Sequence, residues 1–155
     1  GVSFTVAMEL MMAGDIRVAS RTARFAQLEV QRGFFPCGGG TVRLIQEIGW
    51  GNAMRYLLTG DEFSGEEAYR MGFVQQLTEP GEQFEAALKI ARTIANAAPL
   101  GVQAALASSR LARIQGDKAA LEALMPALPA MMQTADMQEA IAAFMEKRAP
   151  VFKGA

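Results

Sequence analysis

Histidine is absent from this chain of 155 residues. A Ser-His-Asp triad, a Cys-His pair and the usual histidine-based zinc sites therefore cannot be built within it. Cysteine is nearly absent too. The single Cys37 excludes an internal disulfide and suits a reducing compartment. An excess of charge of either sign is also missing. Fifteen Lys and Arg stand against sixteen Asp and Glu, for a net charge of −1, and no basic block or stripe offers a footprint for nucleic acid. No apolar run reaches the roughly 18–20 residues that span a bilayer. Carboxylates, backbone dipoles and one thiol are what remain for any chemistry.

Apolar residues are what the chain has in plenty. They make up 51% of it and include ten Met, which points to a well-buried helical protein with subunit interfaces or simply to an Ala-rich helical sequence. Residues 4–13 are apolar on all sides and read as a short buried helix stopped by Gly14. Residues 15–19 and 24–30 alternate as strands do, with Phe25, Gln27 and Glu29 on one face. Helices are expected over 41–48, 52–58 and 64–71. The last opens with Ser64-Gly65-Glu66-Glu67, a capping box in which Ser64 caps the backbone while Glu67 reaches back. A short strand over 73–77 and a turn at Glu79-Pro80-Gly81 follow. Beyond residue 82 the pattern is helical throughout, with Pro99 at a helix start and Pro126 and Pro129 expected to break or kink a helix. The change of pattern divides the chain into 1–81, mixed α/β, and 82–155, all-helical.

Two carboxylates stand out. Glu9 sits within an apolar helix, where an unpaired carboxylate is costly to bury and is suited to proton transfer. The plain alternative is a Glu that reaches solvent or pairs with an Arg. Glu29 lies on the Phe25–Gln27 face ahead of a glycine-bearing loop. Its plain alternative is a strand Glu paired with Arg24 or Arg32. Two such groups close together can divide acid and base roles. The segment Cys37-Gly38-Gly39-Gly40-Thr41 leads into a helix whose backbone N–H groups can orient a water or a polarised carbonyl. It lacks the Gly-Lys-Ser/Thr ending of a phosphate loop. Cys37 there is read as a small packing residue rather than a nucleophile, since it has no His partner. Lys147 and Arg148 end an amphipathic helix; they suit phosphates or merely complement the helix C-terminus.

These motifs, in this order, resemble the crotonase (enoyl-CoA hydratase/isomerase) family over nearly the whole chain. Glu9-Leu10 with Asp15-Ile16 is similar to the family's Glu-Leu…Asp-Ile segment. Phe25-Ala26-Gln27-Leu28-Glu29 is similar to Phe-x-Gln-Pro-Glu, with Leu28 in place of Pro. Gly33 through Leu44 resembles Gly-x-x-Pro-x-x-Gly-Gly-Thr-x-Arg-Leu. Leu58-Thr59-Gly60-Asp61 with Ala68 to Val74, and Phe144 to Phe152, resemble the later family motifs.

The resemblance implies an α/β fold: the C-terminal part of a crotonase-type ββα spiral over 1–81, then a helical oligomerisation region over 82–155 that forms trimers or hexamers. It implies that an N-terminal half of the same fold completes the enzyme. That half would carry the second oxyanion donor and the loop gripping coenzyme A. The implied activity is syn hydration of a 2-trans-enoyl-CoA to a 3-hydroxyacyl-CoA in the cytoplasm. No cofactor is implied beyond the coenzyme A that the substrate carries, and no metal, membrane or nucleic acid. Glu9 and Glu29 match the two family glutamates. Family isomerases generally keep the second alone, so retention of both favours a hydratase. The first oxyanion donor would be the N–H of Val6, in Thr5-Val6-Ala7-Met8-Glu9 where the family usually has Gly-Gly-Gly-x-Glu. Cys37, Phe144 and Lys147 match substrate-binding positions, the last two toward coenzyme A in a neighbouring subunit. The alternatives are another crotonase reaction (isomerisation, thioester hydrolysis or decarboxylation) and a non-catalytic acyl-CoA-binding oligomer.

Overall fold

The computed structural model describes residues 1–155. Short strands separated by short helices build the first of two units, Gly1–Lys89. Strand β1 (Val2–Phe4) runs into helix α1 (Val6–Met11), then β2 (Val18–Ser20) and β3 (Arg24–Ala26). A 3-10 helix at Glu29–Arg32 leads by a loop to α2 (Gly40–Ile48) and α3 (Trp50–Thr59). β4 (Phe63–Ser64), α4 (Gly65–Arg70) and β5 (Gln76–Thr78) complete the series. β1 pairs parallel with β3, register Phe4 to Ala26, and β4 lies antiparallel on the other side of β3. β2 and β5 form a second, parallel pair. Parallel neighbours need a crossover, and α1 sits within the one from β1 to β3.

Apolar side chains from both pairs and from α1 to α4 meet in one core. Phe25, Phe63 and Phe73 pack with ring centroids 5.5–6.0 Å apart. Tyr56 lies 4.5 Å from Phe63. Met8, Leu44, Ala53 and Ala68 are fully covered around them. Aromatic pairs of this kind add about 0.5–1.5 kcal/mol each beyond burial.

The helices expected over 41–48, 52–58 and 64–71 are present with ends moved by one or two residues. The helix expected over 4–13 is shorter, because its first residues pair as β1. The strand expected over 24–30 ends at Ala26. Leu28 turns to φ −85°, ψ 0°, and Glu29 opens the 3-10 helix instead. Burial still follows the expected face, since Phe25, Gln27 and Glu29 are all buried. In the capping box, Ser64 Oγ accepts the Glu67 N–H at 3.1 Å. Glu67 does not reach back. Its carboxylate takes two hydrogen bonds from Arg70, both at 2.6 Å, and one from the Tyr56 hydroxyl. Those Arg70 bonds hold it below the usual carboxylate range.

Helix α5 (Gln83–Ala95) carries the chain into the second unit, Ile90–Ala155. There α6 (Pro99–Gln115) and α7 (Asp117–Met132) pack against each other, and α8 (Ala135–Met145) follows. Pro99 occupies the first turn of α6, where its missing N–H costs nothing. Pro126 and Pro129 lie inside α7 without ending it. Each removes one backbone bond, to the carbonyls of Glu122 and Met125. Residues 121–130 are exposed, so water can take over both carbonyls. No helix is long and apolar enough to cross a membrane.

The last residues are clipped to α8. Asp136 accepts the N–H groups of Lys153 and Gly154 at 2.7 and 2.9 Å. Glu139 takes a bidentate hold from Arg148 and the N–H of Val151. Arg148, helped by the Val151 N–H, holds the Glu139 carboxyl down at about 2, against an ordinary 4.5. A carboxylate whose folded value is depressed contributes stability above its unfolded value and loses it as the pH falls toward the folded one. Protection of the amides in 149–155, measured against their intrinsic exchange rate at each pH, should therefore fall between pH 4.5 and about 2, and Glu139→Gln should show the lower protection already at neutral pH.

Candidate active site

The parallel pairing of β1 on β3 brings the start of α1 beside the end of β3. Thr5 N–H continues the ladder to Ala26 O at 2.9 Å. One residue later α1 begins, and one residue past Ala26 lies Gln27. Val6, Glu9, Gln27 and Glu29 are thus gathered from two neighbouring chain segments. The loop 33–39 then returns the chain so that α2 starts against Glu9.

Glu9 is 5% exposed and Glu29 3%, so neither is a solvated surface carboxylate. Glu9 Oε1 accepts the N–H of Gly40, the first residue of α2, at 2.8 Å. The positive end of that helix faces the carboxylate. Sequence reasoning gave this helix N-terminus the task of orienting a water or carbonyl. In the structure its first N–H holds Glu9 instead. Gln27 is fully buried, and the amide orientation that satisfies it turns its NH2 toward Glu29, where it donates to both carboxylate oxygens at 3.0 and 3.2 Å. Of the two plain alternative partners for Glu29, Arg24 is taken by Glu62 through bonds of 2.6 and 2.7 Å, and Arg32 lies exposed at the end of the 3-10 helix.

Glycine is required where the loop meets these groups. A Cβ on Gly38 would collide with Glu9 Oε2 and lie 2.9 Å from its Cδ. A Cβ on Gly40 would come within 2.9–3.0 Å of Pro36, the Gln27 amide and Glu9 Oε1 at once. Glu9 and the Glu29 partner Gln27 therefore both border the small space at Gly40. Arg43, one turn into α2, donates to Gly38 O at 3.0 Å and braces the loop.

Val6 is the first residue of α1, so its N–H has no acceptor within the helix. The residue before it, Thr5, has φ 52° and ψ −125°, a conformation comfortable for glycine alone. Strain of this kind costs about 1–3 kcal/mol and gathers at functional sites. Thr5→Gly is expected to raise unfolding stability by about 1 kcal/mol, the strain relieved less the entropy cost of glycine. A thermal melt showing no gain would mean that Thr5 is held by contacts worth as much as the strain. Cys37 is a free, exposed thiol between buried Pro36 and Gly38. Phe144 and Lys147 belong to the second unit, at the end of α8 and just past it. Phe144 is 82% exposed, and Lys147 turns the chain with φ 55°.

Sequence reasoning singled out Glu9, Glu29 and Val6, and the structure gathers them. It gave no role to Gln27 or to the close approach of Gly38 and Gly40. The alternation placing Gln27 on the face of Glu29 was the available signal for the first. No pattern in the sequence signals the second.

The family model described as enoyl-CoA hydratase/isomerase matches residues 1–155 of this chain. The chain belongs to the enoyl-CoA hydratase/isomerase family. Among solved structures, a probable enoyl-CoA hydratase/isomerase from Mycobacterium abscessus superposes with a TM-score of 0.97 at 46% identity, covering 100% of this chain and 60% of the other. The 2,3-dehydroadipyl-CoA hydratase of Escherichia coli is 32% identical over 99% of this chain and 60% of its own length. The short-chain-enoyl-CoA hydratase of Clostridium acetobutylicum is 38% identical over 90% of this chain and 54% of its own. The chain thus spans 54–60% of the length of these relatives. The crotonase-type α/β architecture expected from the sequence is the one these neighbours share.

Proposed function

We propose that this chain carries the two-carboxylate centre of an enoyl-CoA hydratase, which adds water to a 2-trans-enoyl-CoA to give a 3-hydroxyacyl-CoA. The observation that carries the reading is the pair of buried glutamates, Glu9 on Gly40 N–H and Glu29 on the Gln27 amide, linked at Gly40, where Glu9 and Gln27 meet. Each carboxylate is fixed by a neutral donor rather than cancelled by a cation. Each keeps lone pairs for a water.

In this reading the two glutamates hold one water and exchange protons with it. Its oxygen bonds to C3 of the enoyl group while the C2–C3 π pair moves to the thioester as an enolate. A proton then reaches C2 on the same face, since both hydrogens and the oxygen come from one water. The growing enolate charge falls on the thioester oxygen, where the free N–H of Val6 serves as one donor. A second donor comes from elsewhere in the protein. Losing one donor of this kind typically costs 10²–10³-fold in turnover, about 3–4 kcal/mol. Cys37 is a proposed contact to the acyl-CoA, and Phe144 and Lys147 are proposed contacts to coenzyme A bound in a neighbouring subunit. A trimer or hexamer is the proposed assembly.

Isotopically labelled water tests the reaction class. The full-length gene product should place the label in the 3-hydroxyl of the product and, from heavy water, one deuterium at C2. Deuterium at C2 or C4 without oxygen incorporation would indicate isomerisation instead.

A further inference from the structure

Arg17 is a charged residue in an otherwise apolar place, 5% exposed in the loop after α1. A buried guanidinium is costly unless its nitrogens find partners, and each of the three nitrogens here finds one. It donates to Phe73 O at 2.5 Å and Gly14 O at 2.8 Å, and it pairs with the carboxylate of Glu47. It also lies over the Phe73 ring, 5.3 Å from the centroid. Its own N–H is taken by Gln75 Oε1 at 2.8 Å. Gly14 closes the turn that ends the α1 segment, its N–H bonded to Met11 O. Glu47 lies in the last turn of α2.

α1 and α2 are therefore tied twice. At the first residue of α2, Gly40 holds Glu9. At its last turn, Glu47 holds Arg17, which holds Gly14. Seven residues of helix separate the two ties, about 10 Å at 1.5 Å per residue. α1 is already held by Thr5 N–H on Ala26 O and by Met8 in the core; the second tie fixes the end of its segment against the far end of α2.

We propose that Arg17 is a positioning residue for Glu9, acting through Glu47 to fix α1 against α2 and so keep the Glu9 carboxylate on the Gly40 N–H. The kinetic part of this inference rests on the hydratase reading; the geometric part does not.

The test uses Arg17→Lys, which keeps the charge and loses the fork, and Glu47→Gln, which keeps an acceptor and loses the charge. Each should speed hydrogen exchange at the Gly40 amide by about tenfold, leaving α7 unchanged. Each should lower kcat for enoyl-CoA hydration by roughly 10–100-fold with KM within about twofold. In a Glu9→Gln background Arg17→Lys should cost nothing more. A merely structural arginine would lower that background as much as it lowers the wild type, and that result overturns the proposal. So does unchanged exchange at Gly40. If the wild-type protein hydrates no enoyl-CoA, the hydratase reading fails and the exchange at Gly40 alone decides the positioning role. If Arg17→Lys does not fold, Glu47→Gln carries the same comparison.

Discussion

Glu9→Gln and Glu29→Gln are each expected to lower enoyl-CoA hydration by roughly 10²–10⁴-fold, the range for a lost general acid or base. The substitutions remove little else. A glutamine at position 9 still offers a carbonyl oxygen to Gly40 N–H. One at position 29 still offers an oxygen to the Gln27 amide. The fold and the affinity for a saturated acyl-CoA should stay within about twofold, while the proton can no longer be taken or returned. Because the proposed mechanism has both glutamates act on one water, the double variant should be far less impaired than the product of the single losses. Steady-state rates with calorimetric binding separate the two effects. Wild-type turnover in either single variant would remove that residue from the chemistry.

Gly38→Ala is expected to cut turnover by about 100-fold, as a displacement near 1 Å of a catalytic group can do. The added methyl would meet the Glu9 carboxylate head-on. Gly38 itself is exposed and free of the left-handed conformation that would strain an alanine. Its melting temperature should therefore barely move. Gly40→Ala differs, because that position is buried among Pro36, Gln27 and Glu9. Overpacking there should cost about 1–3 kcal/mol as well as activity. Equal activity in Gly38→Ala and wild type would mean that Glu9 can swing away without loss, which contradicts its place beside the reacting water.

These two glycines show where the sequence stops being informative. A run of Gly38-Gly39-Gly40 before a helix announces a loop and a dipole end, but not which side chain approaches from thirty residues away. That approach depends on Thr5 continuing the ladder onto Ala26, a long-range pairing with no local signature. Glu9 and Glu29 were legible because carboxylates on apolar faces demand an explanation. Gln27 was on the right face by alternation, yet the strand that was meant to carry it stops at Ala26; burial, rather than strand geometry, preserved the pattern. The α2, α3 and α4 helices were legible because their apolar period is strong and Ser64 and Gly60 mark their ends. Pro126 and Pro129 do not break the helix, because on the exposed stretch 121–130 water can take the carbonyls they leave free and the helix runs on. Arg17 gave no signal at all, since a strand-like alternation predicts an arginine in solvent rather than one buried between Glu47 and Phe73.

The central claim is that Glu9 and Glu29 split one water across an enoyl thioester. The most direct measurement is the conjugated enoyl absorbance of a short 2-trans-enoyl-CoA mixed with the full-length gene product. Rapid loss of that absorbance, with 3-hydroxyacyl-CoA as product, is the result predicted. Persistent absorbance with the thioester tightly bound would contradict it, and would turn these buried carboxylates to another crotonase reaction or to binding alone.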